Sequence, residues 1–103
     1  MRLVGEPGEE SIVAIGVIFD AAGLTKAQYD QVRNRVAPGD QPPAGLLYHA
    51  GGTTEDGGVC VIEVWESQEA LQQVFAEKLG QALQEANVTT QPKMFQVTTI
   101  MQS

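Results

Sequence analysis

The sequence has little of several features on which proteins of this size commonly depend. It contains a single cysteine, Cys60, so no disulfide can form within the chain. Its longest apolar run, residues 12–19, is far shorter than the roughly 20 residues that a membrane helix needs. Acidic residues precede that run, where a signal peptide would carry positive charge. From these absences we expect a cytoplasmic protein without a membrane segment.

Basic residues and histidine are also scarce. Six Lys and Arg residues stand against 13 Asp and Glu residues, which gives a net charge of −7. Such a surface repels phosphate backbones and anionic lipid headgroups, so we expect neither nucleic acid nor a membrane as a partner. His49 is the only histidine, and no group of metal-binding residues surrounds it in the sequence. We therefore expect no metal ion and no bound cofactor.

What is present is sufficient for one folded domain. The chain has 103 residues, of which 43% are hydrophobic, enough for a single core. Residues 1–10 contain two glycines and a proline and are predicted to form a flexible lead-in. Residues 11–103 are predicted to form one domain.

Hydrophobic periodicity predicts four strands and two helices. The strands are expected at residues 11–19, 44–51, 59–66 and 94–101. Thr25, with Gln28 three positions later, forms a capping box for the first helix. Ser67 caps the second helix, whose apolar residues recur at helical spacing as far as Ala86. The order β-α-β-β-α-β predicts a ferredoxin-like α+β fold, with a four-stranded antiparallel sheet and both helices on one face.

The first and third strands are apolar at both odd and even positions, a pattern typical of strands covered on both faces. Two helices can cover only one face of a four-stranded sheet. The second face then requires another partner, and a second copy of the chain satisfies this requirement most simply. We therefore expect a homodimer packed through the sheet face.

The run of residues 61–71, Val-Ile-Glu-Val-Trp-Glu-Ser-Gln-Glu-Ala-Leu, is followed by an amphipathic helix and resembles the dimeric α+β barrel proteins. More narrowly, it is similar to their antibiotic biosynthesis monooxygenase-like branch. The resemblance covers about residues 11–101 and is sharpest at Glu63-x-Trp65, ahead of the Ser67-capped helix. It implies a pocket between sheet and helices that binds small apolar or aromatic molecules.

Some members of that superfamily oxidise polyketide phenols without a metal or a flavin. The resemblance thus implies a cofactor-independent monooxygenase acting on a small aromatic or enolic molecule. The alternative is a non-catalytic small-molecule-binding protein or a structural dimer with the same fold. Haem degradation is not expected, because residues 71–86 lack the tryptophan and histidine that the haem-degrading branch carries on its second helix.

RNA-recognition modules share this order of elements, but they stack bases on aromatic residues within a basic surface. Here the first and third strands offer only Phe19 and Trp65, each at a strand end, and the net charge is −7. We therefore set an RNA-binding function aside.

Two residues are the candidates for catalysis. His49 is the one group that titrates near neutral pH without help, and it could serve as a base or hydrogen-bond donor for a phenol or enol, or as a structural histidine. Glu63 lies on an apolar strand and shares a face with Trp65. This pair could act as proton acceptor and pocket wall, or as a buried ion pair and an aromatic residue at the dimer interface.

Four aromatic residues are the candidates for substrate binding: Trp65, Tyr29, Phe75 and Tyr48. Tyr29 and Phe75 are expected on the inward faces of the two helices, where they line either a pocket or the core. A two-residue turn at Asp56-Gly57 would place Tyr48 opposite Trp65 and would point His49 away from Glu63. One further residue in that turn would reverse the assignment, so whether His49 and Glu63 share a face stays open here.

Overall fold

The computed structural model describes residues 13–21 and 23–101, which form one sheet with helices packed against it. The strands are β1 (Ile15–Ala21), β2 (Leu46–Thr53), β3 (Val59–Trp65) and β4 (Lys93–Gln96). The helices are α1 (Lys26–Val36), α2 (Gln68–Val74) and α3 (Gly80–Glu85), with a 3-10 turn at Pro38–Asp40. A π-helical turn, Phe75–Leu79, joins α2 to α3. The predicted lead-in of residues 1–10 lies outside the described residues.

The sheet has the strand order β2-β3-β1-β4, and every neighbouring pair is antiparallel. The strands β1 and β3 occupy the two central positions, as their apolar residues on both parities predicted. The helices pack on one face. The ferredoxin-like α+β fold is thereby confirmed.

The strand bounds differ from the predicted ones at both ends of the chain. The strand β1 begins at Ile15 and continues to Ala21, because its last residue still pairs with Val59 of β3. The strand β4 ends at Gln96 instead of residue 101, although the Val97 N–H still donates to the Ala14 carbonyl at 2.8 Å. Pairing with a neighbour, more than local composition, determined these ends.

The β2–β3 connection has a three-residue loop, one residue longer than the Asp56-Gly57 turn considered from the sequence. The Thr54 N–H donates to the Gly58 carbonyl at 3.0 Å, and the Gly57 N–H donates to the Thr54 carbonyl at 3.0 Å. Gly57 adopts a φ of 87°, a left-handed conformation that disfavours residues with a Cβ. This loop sets the register in which His49 pairs directly with Glu63, so the two side chains share a face.

Both predicted helix caps are present. The Thr25 side chain accepts from the Gln28 N–H, and the Gln28 side chain in turn accepts from the Thr25 N–H. The Ser67 hydroxyl accepts from the Ala70 N–H at 3.1 Å and begins α2. The expected single second helix is interrupted by the π-helical turn, whose extra residue per turn changes which side chains face inward. Phe75 starts this turn and is 51% exposed, so the prediction that it faces inward is wrong.

The core lies between the helices and the sheet face that carries the odd-numbered residues of β1 and β3. Trp65 is only 1% exposed and forms its centre. Its buried neighbours come from β1 and α2: Ile15, Val17, Leu71 and Val74. A smaller cluster near the other end of β1 consists of Ala21, Leu24 and Val59. Trp65 is therefore a core residue, and the alternative that placed it at a dimer interface is wrong.

The opposite face of the sheet has no helix against it and exposes large apolar side chains. Tyr48, Ile62 and Phe95 are 50%, 47% and 45% exposed. Gly16 lies beneath Phe95, since a Cβ at residue 16 would come within 2.1 Å of that ring. Cys60 lies on this face as well and is half-buried. In the described ranges, no helix is both long enough and apolar enough to cross a membrane.

Candidate functional site

Four side chains form a continuous chain of hydrogen bonds on the helix side of the sheet. The Tyr29 hydroxyl lies 2.7 Å from His49 Nε2, and His49 Nδ1 lies 2.7 Å from Glu63 Oε2. The other carboxylate oxygen, Glu63 Oε1, accepts from the Trp65 indole N–H at 3.0 Å. We call this set, Tyr29–His49–Glu63–Trp65, the polar chain.

Three separate elements bring these residues together. Residues 63 and 65 are two apart on the central strand β3, so their side chains point the same way. His49 sits directly across from Glu63 on the edge strand β2. Tyr29 lies in the first turn of α1, with its ring stacked on the imidazole at a centroid distance of 6.1 Å.

The polar chain runs from the core to the surface. Trp65 is 1% exposed, whereas the side chains of Glu63 and His49 are 18% and 29% exposed. The two oxygens of Glu63 are matched by an imidazole and an indole. A partly buried carboxylate with both oxygens paired avoids most of the free-energy cost of losing water.

The donor and acceptor roles along the polar chain follow from its chemistry. An ionised carboxylate can only accept, and an indole N–H can only donate. Glu63 therefore favours the His49 tautomer with hydrogen on Nδ1, which leaves the Nε2 lone pair to accept from the Tyr29 hydroxyl. Burial raises the pKa of the Tyr29 phenol above its ordinary value of 10.0; Arg33 opposes this increase and Glu63 adds to it. Tyr29 thus stays a neutral donor at physiological pH.

This arrangement resembles the logic by which hydrolases activate a nucleophile: a carboxylate orients an imidazole, whose second nitrogen accepts a proton. Here the group on Nε2 is a phenol, and the carboxylate is itself held by an indole. The polar chain can therefore accept a proton at a partly exposed position and hold the resulting imidazolium beside a carboxylate.

The structure brings together four of the six residues singled out from the sequence. Tyr48 pairs with Val64 on the uncovered face, and Phe75 lies on the exposed side of the π-helical turn. We leave both of these residues out of the candidate site. One contributor was missed, Gly51: a Cβ there would come within 2.5 Å of the Tyr29 hydroxyl oxygen. A glycine inside a predicted strand was the available signal, because such residues often permit a close approach.

A surface groove lies elsewhere, between the turn before β2 and the helix α2. Its volume is about 210 Å³, and its lining includes Ala44, Glu66 and Lys78. None of the four residues of the polar chain lines it. Among residues 13–21 and 23–101, no cluster of three or more His, Cys, Asp and Glu side chains is placed to hold a metal ion.

The fold is shared with several solved structures. A variant of SnoaB, a cofactor-independent oxygenase from Streptomyces nogalater, matches with a TM-score of 0.59 at 15% identity, over 88% of this chain and 96% of that one. A candidate antibiotic biosynthesis monooxygenase from Chloroflexus aurantiacus matches with a TM-score of 0.58 at 14% identity, over 88% and 94%. The Pseudomonas aeruginosa protein PA3566 matches with a TM-score of 0.57 at 20% identity, over 91% and 100%.

No protein-family model matches the sequence, and no curated protein matches it either. The structural neighbours include antibiotic biosynthesis monooxygenase-like proteins, the branch that residues 61–71 resemble, and at 14–20% identity this likeness establishes the fold alone. The chain is a ferredoxin-like α+β protein with the fold of these structures.

Proposed function

We propose that this protein binds a small aromatic or enolic molecule between the sheet and α1, and that His49 removes an acidic proton from it. The observation that carries the proposal is the polar chain, which presents His49 Nε2 as an acceptor at a partly exposed position. In this proposal His49 is the base and Glu63 orients it. Tyr29 flanks the ligand, and Trp65 holds Glu63 from the core.

The proposed reaction is a monooxygenation that uses dioxygen as the second substrate. Loss of the proton to His49 leaves a carbanion stabilised by the aromatic or enolic system, and this carbanion forms a C–O bond with dioxygen. The peroxide so formed takes a proton and then loses water, so that the O–O bond breaks and a CH₂ group becomes a carbonyl. One oxygen atom enters the product and the other leaves as water. The description of SnoaB as a cofactor-independent oxygenase supports this class of reaction for a shared fold.

We further propose that two copies of the chain pack through the uncovered sheet face. Support comes from Tyr48, Ile62 and Phe95, which are each about half exposed on that face and lie on β2, β3 and β4. Contiguous apolar side chains of this kind mark interaction surfaces in proteins.

We also propose a cytoplasmic location, for which the sequence is the only support.

The full-length protein can be tested with anthrone, an aromatic ketone with an acidic CH₂ group and an enol tautomer. Turnover in air is followed by oxygen uptake and by the absorbance of the quinone product. We expect His49→Ala and Glu63→Gln to lower kcat by at least about 100-fold, the typical contribution of a positioned base. Binding is followed in parallel by the fluorescence of Trp65, the only tryptophan.

The matched control is Glu55→Gln, which makes the same change at an exposed residue of the hairpin loop. It should keep both the wild-type kcat and the wild-type Kd for anthrone. A wild-type protein that binds anthrone and related phenols without consuming oxygen would overturn the enzymatic proposal.

That last outcome would favour a second candidate, a non-catalytic small-molecule-binding protein. One observation supports this candidate: the hydrogen-bonding groups of the polar chain are already paired with one another, as expected for a network that only stabilises the fold. In that case the wild-type protein should show no turnover, and His49→Ala should lower the midpoint of unfolding.

A further inference from the structure

Two neighbouring glycines on β2 have very different surroundings. A Cβ at Gly51 would lie 2.5 Å from the Tyr29 hydroxyl oxygen and 2.7 Å from the adjoining ring carbon. A Cβ at Gly52 would meet nothing within 4 Å. Neither glycine has a positive φ, so both positions suit an ordinary residue by backbone conformation. The absent side chain at Gly51 therefore provides the space through which Tyr29 reaches His49.

The buried end of the polar chain is held by Trp65. Its indole N–H donates to Glu63 Oε1, while His49 Nδ1 contacts the other oxygen, Oε2. Because Trp65 is almost fully buried in the core, its N–H points in one fixed direction. The buried indole therefore determines the orientation of the Glu63 carboxylate, and the carboxylate in turn determines the orientation of the His49 imidazole.

We propose that Trp65 and Gly51 are positioning residues for His49. Trp65 orients Glu63 and thereby holds the imidazole as the Nδ1–H tautomer, and Gly51 admits the Tyr29 hydroxyl that occupies Nε2. The inference rests on the proposed function for its catalytic meaning, but its structural content can be measured without a substrate.

This arrangement also limits which chemical groups a ligand must carry in order to use His49 as a base. A molecule that uses the base must replace the Tyr29 hydroxyl at Nε2, and an unprotonated nitrogen accepts a hydrogen bond but cannot donate one. The ligand must therefore bring an O–H or an acidic C–H of its own. A carboxylate has only acceptors and would also lie near the negative charge of Glu63. The site is thus selective for neutral phenols and enols over carboxylates of the same shape.

The tautomer can be read directly by NMR, because His49 is the only histidine and Trp65 the only tryptophan. Protein labelled with ¹⁵N at the imidazole and indole nitrogens gives one set of signals for each. Spectra are recorded over a range of pH, and for the neutral imidazole we expect Nδ1 to carry hydrogen and Nε2 to carry none. A neutral imidazole with hydrogen on Nε2, or an equal mixture of tautomers, would overturn the proposal.

The role of Trp65 is tested without removing its ring from the core, by Glu63→Gln. The indole N–H requires the oxygen of the new amide, which leaves the NH₂ group facing His49 Nδ1. The imidazole should then switch to the tautomer with hydrogen on Nε2, and the proton acceptor at that nitrogen is lost. If the Nδ1–H tautomer persists in this variant, Trp65 does not orient residue 63.

The role of Gly51 is tested by Gly51→Ala, with Gly52→Ala as the matched control. In Gly51→Ala the Tyr29 hydroxyl should be displaced, so the Nε2 signal should shift while the tautomer is kept; in Gly52→Ala it should not shift. An unchanged Nε2 signal in Gly51→Ala would contradict the role of Gly51.

The ligand selectivity is tested on the wild-type protein. A naphthol should shift the Nε2 signal of His49, and the matching naphthoate should not. Equal binding of the naphthol and the naphthoate would contradict the selectivity.

The proposed oxygenase function and the proposed positioning of His49 can be contradicted independently of each other. If anthrone is not oxidised but the tautomer results hold, the positioning of His49 stands and the oxygenase function is wrong. If turnover depends on His49 while Gly51→Ala and Glu63→Gln leave the imidazole signals unchanged, the function stands and the positioning is wrong.

Discussion

At the scale of single residues, Tyr29 differs from the other tyrosine, Tyr48. Tyr29 is packed between α1 and β2 with its hydroxyl on His49, whereas Tyr48 is 50% exposed on the open sheet face. Burial raises the pKa of Tyr29, and the nearby Glu63 raises it further. The folded protein therefore holds the phenolic proton more tightly than the unfolded chain does.

This difference predicts an alkaline loss of stability that depends on Tyr29. Its contribution is fully present below the unfolded pKa of about 10 and is lost as the pH rises through the higher folded pKa. In urea denaturation above about pH 10, Tyr29→Phe should lose less stability relative to neutral pH than the wild type. Tyr48→Phe serves as the control and should show the wild-type loss; equal slopes for the two variants would contradict the prediction.

At the scale of elements, the β2–β3 hairpin decides the composition of the site. Its three-residue loop places His49 across from Glu63, and a loop shorter by one residue would turn His49 to the other face. Gly57 makes this loop possible through its positive φ of 87°. Asp56 supports the turn: its carboxylate accepts from the Thr54 hydroxyl and from the Gly58 N–H, and these bonds lower its pKa.

The hairpin predicts a specific cost for Gly57→Ala. An alanine forced into the left-handed region should lower the free energy of unfolding by about 1–2 kcal/mol. Gly57→Asn should cost less, because asparagine tolerates this conformation. Gly52→Ala, in the adjoining strand without a positive φ, is the control. Urea denaturation checks all three, and an equal cost at residues 52 and 57 would rule out the conformational explanation.

At the scale of the whole molecule, one face of the sheet is covered by helices and the other is not. The apolar side chains of the uncovered face come from three different strands, so they form a surface and not isolated positions. A second copy applying the same surface would bury them symmetrically.

The proposed dimer predicts that Ile62→Lys yields a monomer. Ile62 lies on the central strand β3 and is 47% exposed, so a lysine at this position is tolerated in a single chain. In the dimer, the same lysine would be buried without an opposite charge to pair with. We expect the dimer dissociation constant to rise by about 100-fold or more, measured by light scattering. Gln72→Lys, on the exposed surface of α2, should leave the dimer intact. A wild-type monomer at micromolar concentration would refute the proposal.

Much of the fold was predictable, because it depends on local signals. Thr25 with Gln28 and Ser67 with Ala70 mark helix starts by side-chain hydrogen bonds within one turn. The central positions of β1 and β3 follow from apolar residues at both parities. The π-helical turn was not predictable, since its hydrogen-bond pattern leaves no distinct trace in the hydrophobic spacing, and Phe75 was misplaced for that reason.

The sequence by itself determined the order of the elements, the strands at the centre of the sheet, and the shared face of Glu63 and Trp65. These properties depend on periodicity and capping, which act over a few residues. Only the tertiary structure decided that His49 joins Glu63 and that Tyr29 joins both. A loop of three residues instead of two sets the first contact, and the missing side chain at Gly51 permits the second. The first depends on the length of the hairpin loop and the second on how closely α1 packs against β2, and composition and spacing specify neither.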